Sequence, residues 1–358
     1  MKRLAVALSS FFAFAFIVPD IVKSTEFSRS DFHVASTDGV KIFVRELKSN
    51  EPSRGQVAVI LIHGVRVPGI ASFDLGVPNG SLAEAIASHG HPVYIMDARG
   101  YGQSTRPAAL EQPPEKNSPA ARGYEVVRDI EAVVREAKSR NHVEQVALFG
   151  WATGAMWSGF YASLHPEDIS HLILLNGLYG GSSHHPMLGH GSSFEDPEHS
   201  GAFNWKSVGA YTWSDGQSVL APWDRSIPDK DKSTWRDPKV AEAYREAALA
   251  SDPAAGTHRP PALRAPTGAM EDSFYQAIGR QLYDASSITA RVLIVRAEND
   301  FWSRPEDVQT LAQHLTHAHT VKVLEIPNAT HYVHLDRPEH GRDTLVSAVQ
   351  EFLEPTQP

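Results

Sequence analysis

The chain has 358 residues, of which 42% are hydrophobic and 21% charged, and it carries a formal charge of −9. That balance suits a soluble globular protein long enough to bury a large core without staples, and excludes an intrinsically disordered chain. Interspersed acidic and basic residues exclude a basic nucleic-acid surface, and the absence of cysteine excludes disulfides, thiolate metal sites and cysteine nucleophiles.

Lys2 and Arg3 precede an uncharged, mostly apolar run from Leu4 to Val18. The run falls short of the ~20 residues that span a bilayer but suits the apolar core of a secretory signal. Ala13-Phe14-Ala15 and Val22-Lys23-Ser24 are rival cleavage sites, and an uncleaved anchor is the alternative. Residues 1–24 are therefore set aside as a signal peptide, with a secreted or periplasmic location and no stable membrane span after cleavage.

Beyond that segment, DFHVAS, a Thr37-Asp38-Gly39 turn and VKIFVREL predict a hairpin. The continuous apolar run 56–62 reads as a strand covered on both faces, ending at His63-Gly64. A helix over 81–88 and a strand over 92–97 follow. From 124 to 139, Val126, Val127, Ile130, Val133, Val134 and Ala137 fall on one helical face. Strand 145–150, helix 153–164 and strand 171–176 continue the alternation, which predicts an α/β fold with a mostly parallel, doubly covered sheet.

The rhythm breaks from Gly177 to Ala290, where Gly, Pro, Ser and His are frequent and Trp205, Trp213, Trp223 and Trp235 occur. Helices are expected from about Pro238 to Ala250 and through Met270, Phe274, Ile278 and Leu282. Strand 291–297 restarts the pattern, followed by a helix near 305–315, strand 320–326 and a terminal helix near 341–352. This gives a core in two parts, 25–177 and 291–358, with a mixed helical and loop cap at 178–290. Such a cap would lie over a site at the carboxyl edge of the sheet.

Three stretches carry the chemistry. Gly150-Trp151-Ala152-Thr153-Gly154 stands where a strand turns directly into a helix, crowded by small residues as a nucleophile elbow requires. Its central position, normally serine, is alanine. Strand 291–297 runs into Glu298-Asn299-Asp300, and the last strand is followed by Asn328-Ala329-Thr330-His331. Nucleophile position, acid and histidine thus follow the chain order of one well-defined fold, in which the carboxylate fixes the imidazole and the imidazole moves the proton.

With LIHG (61–64), DARGYGQS (97–104) and HYVHLDRP (331–338) added, the chain resembles the α/β-hydrolase superfamily over roughly residues 30–355, in its form with a cap after the sixth strand. The resemblance implies Asp300 as acid, with Glu298 as runner-up, and His331 as base. It also implies an oxyanion hole from the backbone N–H groups of Val65 and Thr153, and no metal or organic cofactor. Trp151 and Trp302 are candidates to line an acyl or aromatic pocket, with core packing as the alternative for each. Thr153 also bears a hydroxyl, but at the start of a helix it is expected to point away from His331. His184, His185, His190 and His199 lie near Glu195, Asp196 and Glu198 without the spacing of a compact metal motif.

Alanine has no nucleophilic atom, so an acyl-enzyme cannot form at residue 152. The sequence leaves three readings open: an inactivated serine hydrolase, a His331–Asp300 dyad that activates water or abstracts a proton, or a non-catalytic binding protein on the same scaffold. For an enzyme, the expected substrate is a small or medium apolar ester, lactone, amide or C–C bond compound. Oligomeric state is not readable.

Overall fold

The computed structural model describes residues 26–50 and 57–355; the expected signal peptide lies outside them. Strands β1 (Phe27–Ala35) and β2 (Lys41–Ser49) form the predicted hairpin across Thr37–Gly39. Then come β3 (Val59–Ile62), the short helices α1 (Gly69–Phe73) and α2 (Leu82–Ala87), and β4 (Val93–Met96). Helix α3 (Gly123–Asn141), β5 (Val146–Trp151), α4 (Thr153–Leu164) and β6 (Ile169–Leu175) complete the first part. The six residues named for the α3 face are all buried.

Between β6 and the next strand of the main sheet lie α5 (Trp205–Val208), β7 (Tyr211–Asp215), α6 (Gly216–Ser226), α7 (Pro238–Ala250), β8 (Ala262–Pro266) and α8 (Gly268–Ala277). Strands β7 and β8 pair with each other as a separate antiparallel ribbon. The main sheet resumes with β9 (Arg291–Asn299), α9 (Pro305–His314), β10 (Thr320–Thr330) and α10 (Arg342–Leu353). Its eight strands run in the order β1-β2-β4-β3-β5-β6-β9-β10, parallel from β4 onward, with β2 antiparallel to both its neighbours. Among the described residues, no helix is long and apolar enough to cross a membrane.

Two apolar clusters sandwich this sheet, and β3 shows why its apolar run does not alternate with polar residues. Val59 and Leu61 join one cluster while Ala58, Ile60 and Ile62 join the other, all fully buried. A strand covered on both faces has no exposed positions for polar residues. The α8 helix is shorter than its i, i+4 pattern predicts. It stops at Ala277 because Gly279, at φ 86°, turns the chain left-handed, so Leu282 falls outside the helix.

The parallel strands point their carboxyl ends to one rim. β3, β5, β9 and β10 deliver His63, Ala152, Asp300 and His331 to it or to the loops just beyond. Loops at such an edge are where ligands meet open α/β sheets.

Candidate active site

The turn after β5 is an elbow. Trp151 ends the strand and Thr153 begins α4, leaving Ala152 alone between them at φ 53° and ψ −113°. A residue with a Cβ is strained there by about 1–3 kcal/mol. The conformation is fastened by the Ala152 N–H, which donates to Leu175 O at 2.8 Å, and by the Ala152 carbonyl, which accepts from Ala155 N at 3.1 Å. Close packing explains the flanking glycines. A Cβ on Gly150 would strike the Gly154 carbonyl oxygen, and one on Gly154 would strike the carbonyl oxygen of Ile62. Both obstacles are backbone and cannot swing aside.

The acid–histidine arm is built by hydrogen bonds. His331 Nδ1 lies 2.6 Å from Asp300 Oδ1. The Asp300 carboxylate also accepts from Trp302 N and Ser303 N, each at 2.9 Å. A carboxylate in that position makes Nδ1 the donor and leaves the lone pair on Nε2. The His331 carbonyl is held as well, by Trp151 Nε1 at 3.0 Å and by Asn176 Nδ2 at 3.1 Å. Asn176, at φ 53°, also accepts from Ala297 N at 2.8 Å, so one buried amide joins the ends of β6 and β9 to the histidine loop. Sequence reasoning missed Asn176; its position at the end of β6, level with the elbow, was the available signal.

Glu298, the runner-up acid, is exposed and accepts from Asn328 N at 2.7 Å, away from the imidazole. Geometry therefore selects Asp300 between the two carboxylates.

His63 shapes the loop that carries Val65. It is fully buried, and its Nε2 accepts from Ala98 N at 3.1 Å, which places the proton on Nδ1, 2.6 Å from the Gly64 carbonyl. Burial lowers its pKa to about 4, so the ring stays neutral and keeps its acceptor. Among the described residues, the N–H groups of Val65 and Thr153 donate to no protein acceptor, as an oxyanion hole requires. The Thr153 hydroxyl is buried without a hydrogen-bond partner and does not line the cavity beside Ala152, which removes it as a substitute nucleophile.

That cavity measures about 270 Å³ and is lined by Ala152, Val65 and His331 together with Trp151, Trp302 and Tyr332. Both tryptophans singled out in the sequence therefore meet it. The Trp302 indole N–H has no protein acceptor among the described residues. From the segment between β6 and β9, Leu188, Phe194, Pro222, Tyr244 and Met270 also line the cavity. Trp223 of α6 stacks on Tyr332 at 5.0 Å and donates to the buried Asp336 at 2.8 Å. Asp336 also accepts from the Thr330 hydroxyl at 2.6 Å, next to His331.

The histidine-rich stretch does not converge on one centre. His190 pairs with Glu195 at 2.8 Å, His199 with Asp196 at 3.3 Å, and His185 bonds the Trp302 carbonyl at 3.0 Å.

Comparison with known proteins agrees with this architecture. A family model described as alpha/beta hydrolase fold matches residues 57–338. No curated protein matches the chain. Solved structures with the same fold include a thermophilic esterase from Thermogutta terrifontis, 17% identical, covering 91% of this chain and 98% of that one with a TM-score of 0.54. An alanine-for-serine variant of a meta-cleavage product hydrolase from Pseudomonas fluorescens is 17% identical, covering 90% and 96% with a TM-score of 0.56. E-2-(acetamidomethylene)succinate hydrolase is 18% identical, covering 92% and 100% with a TM-score of 0.56. A matching family model over most of the chain, on a sheet of this order with its elbow, acid and histidine in sequence, leads to one assignment: the chain belongs to the alpha/beta hydrolase fold family.

Proposed function

We propose that this protein is an exported hydrolase that works without a serine nucleophile, using the His331–Asp300 dyad on a small or medium apolar ester, lactone, amide or C–C bond substrate. The supporting observation is that an imidazole tied to a carboxylate at 2.6 Å shares one cavity with the methyl group of Ala152. His331 Nε2 takes a proton from water as the water oxygen bonds to the substrate carbonyl carbon. The oxyanion rests on the N–H groups of Val65 and Thr153, and on collapse the leaving group departs with the proton from His331. Asp300 holds the tautomer and stabilises the cationic ring. The segment 178–290 serves as a cap whose apolar wall sets substrate size. Export rests on the residues at 2–18.

The test is turnover of short-chain aryl esters and lactones with a fluorophosphonate label present. The chain is expected to turn over substrate without labelling, and His331→Ala to lower the rate by roughly 10²–10⁴-fold. Ala152→Ser should acquire the label. An inert parent chain with an active, labelled Ala152→Ser variant would replace the dyad reading with that of a disabled serine hydrolase. If both stay inert while the cavity binds small ligands, the protein is a binding module.

A further inference from the structure

The cavity beside His331 is largely apolar and aromatic, and it holds two cations. Arg66 follows Val65 on the loop after β3, Arg225 lies on α6, and both line the cavity. No Asp or Glu side chain lines the cavity, and the Asp300 carboxylate is hidden behind the imidazole. Arg66 is half-buried, and its hydrogen bond is to Ser218 O at 3.3 Å, which leaves most of its five N–H donors unused. Arg225 sits 5.7 Å over the ring of Phe301, and that ring is 4.7 Å from the imidazole of His331. Among the described residues, neither guanidinium has a carboxylate partner.

Burial pushes the Tyr332 phenol up to about 12, against the opposing pull of the Arg66 charge, a hydrogen bond with Tyr244 and the Arg225 charge. Two guanidinium groups without a carboxylate partner, at one small chamber with no acidic lining, give it a positive field that favours an anionic guest. Guanidinium also matches a planar carboxylate in two parallel hydrogen bonds, which a lone ammonium cannot do.

We infer that Arg66 and Arg225 select a substrate with a free carboxylate on a short apolar body, held in the cavity beside Ala152 and His331. The inference rests on this cavity being the substrate site, and it narrows the substrate class to an acid-bearing ester, lactone, amide or C–C bond compound. The pair joins the loop that carries Val65 to helix α6. The carboxylate thereby fixes which end of the substrate meets Val65 and Thr153.

Binding separates this inference from the catalytic reading. Trp151 and Trp302 line the cavity, so quenching of tryptophan fluorescence by hexanoate and by hexanamide reports occupancy whether or not turnover occurs. Hexanoate is expected to bind about tenfold or more tighter than hexanamide, with the preference cut severalfold in Arg225→Gln and abolished in Arg66→Gln/Arg225→Gln. Arg225 is exposed, so its single variant checks the result in a protein that keeps its fold. His331→Ala should retain the preference. Equal binding of the two probes, binding of neither, or a preference that survives the double variant overturns the inference. So does a preference that vanishes only with His331. If hexanoate selectivity holds while the chain hydrolyses nothing, the arginine site stands and the hydrolase reading falls. Turnover of neutral esters without carboxylate selectivity gives the reverse.

Discussion

At residue 152 the chain keeps a strained backbone without a reactive atom, whereas at residues 300 and 331 it keeps both the backbone and the reactive groups. The elbow is enforced by packing. Gly150 and Gly154 lie against backbone that tolerates no side chain, and the Ala152 N–H is committed to β6. The acid–histidine arm is enforced by polar bonds, with Asp300 accepting from two backbone N–H groups and the imidazole, and the His331 carbonyl accepting from two side chains. One arm is therefore maintained by shape and the other by charge and hydrogen bonding. A methyl group in the first is compatible with an intact second.

The widest gap between the arms should appear in turnover. Asp300→Asn should cut the rate by roughly 10³–10⁴-fold through loss of the imidazole tautomer. Ala152→Gly, measured in the same assay, should change it by no more than a few fold, and equal effects would erase the distinction. In stability the order reverses, because shape fails at the elbow. Gly154→Val should cost about 3 kcal/mol or more by chemical denaturation, since the added carbons meet the Ile62 carbonyl.

A third measurement sharpens the electrostatic side. His63 has its pKa lowered by burial to about 4, against about 6.5 when unfolded. Its contribution is fully present above pH 6.5 and is lost as pH falls through 4, about 3 kcal/mol in all. The difference in unfolding free energy between the parent chain and His63→Gln should shrink across that window; a constant difference would mean the ring is not held neutral. The smallest effect belongs to residue 152 itself. Ala152→Gly should raise stability by about 1 kcal/mol, as relief of positive-φ strain outweighs the greater freedom of glycine in the unfolded chain. A loss would show that the elbow is unstrained.

What could be read in the sequence depended on whether the signal was local. The apolar run of β3, the face of α3 and the strand–helix junction at Gly150–Gly154 each encode themselves within a few residues. Asp300 and His331 were legible because each follows a strong strand. Helix α6 was not, since Pro222 inside it reads as a breaker although its cap, Asp215, bonds Ser218 N at 2.7 Å. The β7–β8 ribbon pairs Tyr211 with Pro266 across a long intervening stretch, and no local pattern specifies such a partner. Arg66 and Arg225 likewise carry no local signal. Only folding brings them to one chamber without a carboxylate.

Asp336 ties the segment between β6 and β9 to the loop that carries His331. The same buried carboxylate takes the indole N–H of Trp223 and the hydroxyl of Thr330, one residue before His331. Helix α6 and the loop that carries His331 thus share one buried anchor.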